Sequence, residues 1–232
     1  MRIALLSDIH GNHYALQSVL DAVKQSQIDI ILITGDFIGY YFWPAEVFEL
    51  LSDWKIVAIR GNHDKMLERA KRDNSYLERI TEKYGSGLSI ALEKLEERHV
   101  EWLLNLPDTT MYDALDEKIL LCHGSPWKND EYIYPDAENS SLERYLDLNV
   151  SYVLQGHTHY PMAKQVGDVT IINPGSVGQP RNRQPGAHWA LLDTGANDIK
   201  HFCEQYDCSR VVREARKRHP DIPYLAEILE RE

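Results

Sequence analysis

Residues 1–10, MRIALLSDIH, place an Asp-x-His motif (Asp8 and His10) directly after a short apolar run. The same arrangement recurs along the chain. Each of the later runs is β-branched or leucine-rich and of strand length, so we predict a strand before each motif. Because loops that leave several strands converge at one edge of an open α/β sheet, the motifs are expected to meet in one site. The four later motifs are Gly35-Asp36, Gly61-Asn62-His63-Asp64, His123-Gly124 and Gly156-His157-Thr158-His159.

The order of apolar runs predicts two kinds of sheet. Up to residue 105 the pattern is β-α-β, whereas from residue 109 onward the runs come in pairs separated by turn residues, which is typical of hairpins. We therefore expect a parallel first half and an antiparallel second half, packed sheet on sheet with helices outside. Residues 1–205 are expected to form one domain with a mainly helical segment at 64–105, and residues 206–232 a C-terminal helical cover.

Composition excludes several function classes. The 232 residues include 25 Lys and Arg against 36 Asp and Glu, a formal charge of -11, so no extended nucleic-acid groove is expected. The three cysteines lack Cys-x-x-Cys spacing, which favours a reducing compartment. No apolar run approaches membrane-spanning length, so we predict a cytoplasmic protein without a membrane partner. Composition leaves the oligomeric state open.

The motif residues have the chemistry of a two-metal hydrolase site. Carboxylates mixed with imidazoles suit divalent manganese, iron, cobalt, nickel or zinc better than calcium or magnesium. Asp8 and His10 are two residues apart on a segment expected to be extended, so both side chains should reach one ion, and His157 and His159 repeat this spacing. Two ions about 3.5 to 4 Å apart could hold a nucleophilic hydroxide between them. The remaining candidate ligands are Asp36 as a bridge, Asn62 and His123.

In this order the five motifs resemble those of the calcineurin-like metallophosphoesterase superfamily, D-x-H, G-D, G-N-H-[DE], [GC]-H-G and G-H-x-H. Residues 173–181, NPGSVGQPR, are similar to a segment of its small prokaryotic phosphodiesterase branch. The resemblance implies a four-layer α-β-β-α sandwich of two mixed β-sheets flanked by helices. It implies two metal ions, with manganese the first choice, and His63 as proton donor or transition-state stabiliser. The implied ligands are Asp8, His10, Asp36 and His159 for metal one, and Asp36, Asn62, His123 and His157 for metal two.

The implied function is a metal-dependent phosphoesterase in which a metal-bridging hydroxide attacks a small phosphoester substrate. The substrate is a phosphodiester, with nucleotides among the candidates, or a phosphomonoester. The alternative is a catalytically inactive protein-binding scaffold of the same fold. Such a scaffold is expected to lack His63 or some ligands, and this sequence lacks neither.

Three residues near the motifs are further candidates, and two of them keep two interpretations. Asn12 is a candidate for contact with the substrate. Arg181 is a candidate for binding phosphate, although the Gly-Ser turn before it also has a structural role. Asp64 either caps the helix that begins there or orients His63, and the cap is favoured.

Two loops rich in aromatic residues follow motif-bearing strands, at residues 40–43 and 127–134. Family members often carry a Gly-Pro-Asp-Pro type stretch where this chain has Tyr40-Tyr41-Phe42-Trp43-Pro44. The two loops either flank one cleft that favours flat groups such as a nucleobase, or bury their rings to order themselves. The sequence favours the second interpretation.

Overall fold

The strands of the protein form two five-stranded sheets in the computed structural model, which describes residues 1–231. The first sheet has the order β10-β9-β1-β2-β3 and the second the order β4-β5-β6-β8-β7, with the following bounds. The strands are β1 (Arg2–Leu6), β2 (Ile30–Ile33), β3 (Ile56–Ala58), β4 (Thr109–Ala114), β5 (Glu117–Cys122), β6 (Tyr152–Leu154), β7 (Met162–Val166), β8 (Val169–Asn173), β9 (Ala187–Asp193) and β10 (Asp198–Glu204).

Helices connect and cover these strands. Four of them occupy the segment between β3 and β4, and two follow β10. The helices are α1 (His13–Gln25), α2 (Pro44–Leu51), α3 (Asn62–Ala70), α4 (Asn74–Tyr84), α5 (Gly87–Lys94), α6 (Glu97–Asn105), α7 (Asn139–Leu142), α8 (Ser209–Arg218) and α9 (Tyr224–Glu230), with a 3-10 helix at Glu143–Leu148.

The core explains why β1 is apolar throughout. Ile3 and Leu5 point into the layer between the two sheets, whereas Ala4 and Leu6 point toward the helices on the other face. All four are fully buried. A strand that is buried on both faces needs a continuous apolar run rather than alternation. The predicted α-β-β-α arrangement of two mixed sheets is confirmed.

The predicted direction of the strands in the second half is wrong. The three hairpins form as expected, but β5, β6 and β8 run parallel to one another at the centre of the second sheet. The β9–β10 hairpin joins the first sheet instead, with β9 antiparallel to β1. The apolar pattern of a strand indicates which of its faces are buried. It does not indicate which other strand pairs with it, so it does not distinguish these pairings.

Helices α8 and α9 pack on the loop at residues 40–43 and bury it. Tyr41 and Phe42 share an apolar cluster with Val211 and Leu225 of these helices. The Tyr41 hydroxyl donates a hydrogen bond of 3.1 Å to the Leu225 carbonyl. Glu232, the last residue of the predicted cover, lies outside the described residues. Within residues 1–231, none of the helices has the length and apolarity needed to cross a bilayer.

Candidate metal centre

The five motifs lie at the carboxyl ends of five strands that are parallel to a neighbour. β1, β2 and β3 of the first sheet end at Leu6, Ile33 and Ala58, and β5 and β6 of the second end at Cys122 and Leu154. Each motif begins within a few residues of such an end. The loops of both sheets therefore converge, and the site lies where the two sheet edges meet.

Two glycines allow the loops to approach closely. A Cβ on Gly156 would collide with the Ser7 hydroxyl, so the loop of the second sheet packs directly against that of the first. A Cβ on Gly61 would collide with the Asp36 carboxylate in the same way. The glycines of these motifs are thus required by space, which is one reason that the motifs have this composition.

Asp8, His10 and His159 form the first buried cluster. His159 Nε2 lies 3.2 Å from Asp8 Oδ1, and His10 Nε2 lies 3.7 Å from the same oxygen. The two Nε2 atoms are 3.2 Å apart. Three potential ligand atoms thus converge from two sheets, in the combination expected for metal one.

The second cluster gathers around Asp36. Asp36 Oδ2 lies 3.3 Å from His123 Nε2 and 3.7 Å from His10 Nε2, so this carboxylate reaches both clusters. Asn62 Oδ1 is 3.0 Å from His123 Nε2. Asp8 also approaches Asp36 and His123 closely. This is the placement that a bridging Asp36 requires, and the bridge itself stays a prediction.

Hydrogen bonds fix which nitrogen of each imidazole carries a proton. The Nδ1 atoms of His10, His123 and His159 lie 3.2, 2.7 and 2.5 Å from the carbonyl oxygens of Ile38, Thr34 and Gln179. A carbonyl only accepts, so each Nδ1 donates its proton and a neutral ring presents the lone pair of Nε2. Backbone partners of this kind are typical of metal-binding histidines.

The converging lone pairs fit a divalent cation. His10 Nε2 and His159 Nε2 face each other, and Asp8 Oδ1 beside them is buried without a hydrogen-bond donor among the described residues. Burial lowers the pKa of His10 well below its usual value, which favours the neutral ring. Acceptors crowded without a donor repel one another unless a cation lies between them.

His123 behaves differently from His10. Burial opposes its protonation, but the Asp36 carboxylate outweighs burial and raises the pKa of His123 to about 9. A proton and a metal ion would therefore compete for the same nitrogen, as they do wherever a metal ligand is basic.

Five candidate ligands adopt the left-handed backbone conformation, at φ 54° for Asp8, 53° for His10, 55° for Asp36, 66° for His157 and 63° for His159. The expectation of an extended segment at residues 8–10 is therefore wrong, and tight turns bring these side chains together instead. Asp and His tolerate this region better than most residues, yet each such residue costs about 1–3 kcal/mol. Strain of this kind is concentrated at functional sites.

The carboxylate of Asp64 joins α3 to the loop that carries Asp36. It accepts hydrogen bonds from the amides of Gly61, Asp36, Phe37 and Ile38, at 2.9, 2.7, 3.0 and 3.4 Å. The bond from Gly61 caps α3, as the favoured interpretation expects. The other three join α3 to the Gly-Asp loop, a role that sequence alone does not indicate. Burial and the nearby Asp36 carboxylate raise the pKa of Asp64 to about 7, against the effect of these amides.

His63 and His157 contact different members of the clusters. His63 packs against the rings of His10 and Tyr40, at 4.9 and 4.8 Å between centroids, and burial lowers its pKa to about 4. One of its nitrogens is close to both His10 and Asp36. His157 Nε2 is buried without a partner among the described residues, with its ring 5.1 Å from that of His123. His157 lies outside the tightest groups of potential ligands.

The two candidates for substrate contact lie in different surroundings. Asn12 is fully buried, and its amide donates to the Gly178 carbonyl and the Tyr206 hydroxyl at 2.9 Å each while its oxygen caps α1. Asn12 therefore joins structural elements and does not line an open cleft. Arg181 donates to the Tyr40 hydroxyl at 3.2 Å, and its Nε is buried without an acceptor among the described residues. Only Arg181 has capacity left for an anion.

The two aromatic loops differ. Tyr40, Tyr41 and Phe42 are buried, as the favoured interpretation expects. In the other loop Tyr132 is 52% exposed, and its ring lies 4.3 Å from the ring of His157. The sequence does not distinguish Trp127 from Tyr132 within this loop, and in the structure Tyr132 is the one whose ring contacts a candidate ligand. The sequence feature that could have indicated Tyr132 is its place two residues before Tyr134, in a loop that follows a motif.

Fold and site together define a class, the α/β sandwiches with clustered aspartates and histidines at adjoining sheet edges. The chain belongs to the calcineurin-like phosphoesterase superfamily, because the model of that superfamily domain matches residues 1–197. This confirms the resemblance that the five motifs carry. Membership supports a hydrolase that uses divalent metal, to which the observed clusters correspond.

Known relatives agree with this assignment. The chain is 27% identical to phosphodiesterase YfcE of Escherichia coli over 213 residues, 86% of this chain and 89% of that protein. The crystal structure of a metallophosphoesterase from Sphaerobacter thermophilus matches with a TM-score of 0.79 and 26% identity, over 100% of this chain and 98% of the other. A hypothetical protein from Pyrococcus horikoshii matches with a TM-score of 0.86 and 25% identity, over 98% and 97%. Both structural matches therefore extend over α8 and α9.

Proposed function

We propose that this protein hydrolyses small phosphoesters with two divalent metal ions, manganese being the first to test. The observation that carries the proposal is the convergence of imidazole Nε2 atoms and carboxylate oxygens at the edges of the two sheets. Phosphodiesters are the first substrate class to test, because the Escherichia coli relative is named a phosphodiesterase. Phosphomonoesters are the second.

Seven side chains would hold the ions. The first site draws on both sheets, and Asp36 lies between the imidazoles assigned to the two sites. When bound, two divalent ions neutralise charge on phosphoryl oxygens and lower the pKa of a bound water. The proposed ligands are Asp8, His10, Asp36 and His159 for one ion, and Asp36, Asn62, His123 and His157 for the other.

Two further residues are proposed to handle the substrate. Arg181 carries a positive charge near Asp8 and His159, and its unpartnered Nε can donate to a phosphoryl oxygen. His63 lies beside the clusters without an assigned ligand role. As a ring with an N–H it can hydrogen-bond the phosphoryl group or its leaving oxygen.

The inactive scaffold gains no specific support. Its expected mark is a lost ligand or a lost His63, and in this structure all seven candidate ligands and His63 are gathered at one place. Maintaining left-handed turns at five of these positions costs stability, which a scaffold without chemistry has no reason to retain.

The test is an assay of purified protein, stripped with a chelator and reloaded with one metal at a time, against phosphodiesters and phosphomonoesters with matched leaving groups. We expect turnover that depends on metal and that is greatest with manganese. Metal analysis should find close to two ions per chain. Absence of turnover on every substrate in fully loaded protein would contradict the proposal and favour the scaffold.

A further inference from the structure

An exposed tyrosine pair lies beside the candidate metal centre. The rings of Tyr132 and Tyr134 are nearly parallel, 13° apart, with centroids separated by 5.8 Å. Their exposed fractions are 52% and 41%. Two neighbouring rings that face solvent form an exposed apolar patch, and patches of this kind are found at ligand-binding sites.

One member of the pair contacts a proposed metal ligand. The Tyr132 ring is 4.3 Å from the ring of His157, whose Nε2 is buried and unpartnered within the described chain. Tyr134 continues the surface outward and meets the ring of Tyr160 edge-on at 5.7 Å. A group attached to a phosphate held at the clusters would therefore reach Tyr132 first.

The surroundings of His63 are also aromatic and carry a positive charge. The Tyr84 ring lies 5.0 Å from that of His63, and the Lys83 ammonium is 4.6 Å from the centre of the Tyr84 ring. Lys83 also interacts electrostatically with Tyr132, so a flat group on Tyr132 would lie near a cation and a further aromatic ring. This combination suits an aromatic base attached to phosphate.

Packing of the loop alone does not explain this arrangement. The other exposed ring of the loop, Trp127, is held by Arg144, whose Cζ lies 4.2 Å from the ring centre, and by an edge contact with Tyr145. Trp127 is thus held by residues outside the site, whereas Tyr132 is the exposed ring of the loop that contacts a proposed ligand.

We propose that Tyr132 and Tyr134 form a stacking surface that makes this site selective for phosphoesters bearing a flat heteroaromatic group close to the phosphate, such as a nucleoside. The inference rests on the proposed function, because it places the phosphate at the metal clusters. Stacking of one base on an aromatic side chain contributes about 1–3 kcal/mol. This corresponds to a change of roughly 5- to 150-fold in binding.

The experiment compares two substrate pairs that differ only in the base. These are adenosine 5′-phosphate with ribose 5-phosphate, and the methyl diesters of the same two compounds. In the wild-type protein we expect the base to lower KM by roughly 5- to 150-fold. Tyr132→Ala should remove most of this advantage and leave kcat nearly unchanged, because the contact is equal in ground and transition states.

Two variants serve as controls. Tyr132→Phe keeps the ring and should keep the advantage of the base, and Trp127→Ala removes an exposed ring of the same loop and should also keep it. Equal loss on both members of a pair in Tyr132→Ala would mean that Tyr132 supports His157 and does not contact the base, and would overturn the inference. Metal content, measured in every variant, identifies that outcome directly.

A binding measurement separates this inference from the proposed function. Phosphonate analogues of the two pairs, in which a methylene replaces the ester oxygen, can be titrated whether or not the protein turns over any ester. Tighter binding of the adenosine analogue that depends on Tyr132 supports the stacking surface even if hydrolysis fails. Equal affinity of the adenosine and ribose analogues in the wild-type protein would overturn it even if hydrolysis succeeds.

Discussion

Two aromatic-rich loops contribute residues to the site, and they differ in burial. The buried wall, residues 36–43, follows β2 and carries Asp36. The open wall, residues 123–134, follows β5 and carries His123. Tyr41 is completely covered in the buried wall, whereas Tyr132 is about half exposed in the open wall.

The difference arises from distant parts of the chain. Helices α8 and α9 pack on the buried wall, and Phe42 stacks on His219 from this segment with centroids 6.0 Å apart. No helix covers Tyr132 in the described structure. Local composition therefore does not decide whether an aromatic loop orders a site or contacts a ligand. We expect substitutions in the buried wall to affect metal binding and stability, and those in the open wall to affect substrate selectivity.

The largest expected effect comes from Asp36 in the buried wall. Asp36→Asn keeps an oxygen near the amide of His63, which now donates to Oδ1 at 2.8 Å, but removes the charge between His10 and His123. We expect loss of at least one ion per chain and no detectable hydrolysis, with the fold retained. Metal analysis, circular dichroism and the phosphoester assay measure these three properties.

Glu46→Gln is a matched control for the charge, because Glu46 lies in the first turn of α2 and outside the site. It should keep both ions and full turnover. Undiminished activity of Asp36→Asn after chelator treatment would show that Asp36 holds no essential metal.

The next effect is expected at His63. His63→Gln removes an imidazole that packs on His10 while keeping a polar side chain of similar length. Turnover should fall by roughly 10²- to 10⁴-fold, the usual range for a positioned acid or base, and the loss should shrink for esters with good leaving groups. Both ions should remain. Loss of one ion would instead show that His63 is a ligand. Its nitrogen lies close enough to His10 and Asp36 for that role.

The site could be located from sequence because two simple rules agree. An apolar run followed by Asp8 or His123 marks the end of a strand, and the ends of parallel strands meet at one edge. The same rules do not report backbone conformation. Asp8 and His10 adopt left-handed turns in loops where Gly156 packs directly on Ser7, a contact between residues distant in sequence.

Roles that depend on contacts between separate segments likewise could not be predicted from the sequence. Asp64 looks like a helix cap because its partner Gly61 is local, whereas its bonds to the loop after β2 span 26 to 28 residues. The Asn12 amide donates hydrogen bonds to Gly178 and Tyr206, which are still farther along the chain. Polar residues near a motif are therefore assigned reliably only when their hydrogen-bond partners are known.

A third prediction tests the buried wall for a purely structural role. Phe42 is buried against His219 and has Arg218 Cζ 5.1 Å from its ring centre. Phe42→Ala leaves a cavity between the loop and the C-terminal helices, and we expect a loss of about 3–5 kcal/mol in the free energy of unfolding. The advantage of the adenine base in KM should survive. A denaturant titration and the matched substrate pair measure the two quantities.

The smallest expected effect is at Trp127 in the open wall. Its ring is 47% exposed and makes one edge contact with Tyr145, 5.0 Å between centroids, and one cation–π contact with Arg144. Such contacts contribute about 0.5–1.5 and 0.5–1 kcal/mol, so Trp127→Ala should lower the free energy of unfolding by about 1–2.5 kcal/mol, less than Phe42→Ala. KM for adenosine and ribose esters should stay within about twofold of wild type, because among the described residues the Trp127 ring packs on Tyr145 and Arg144 and makes no ring contact with His157 or Tyr132. A selective rise in KM for the adenosine ester alone would extend the stacking surface to Trp127, and would mean that the open wall contacts substrate along its whole length.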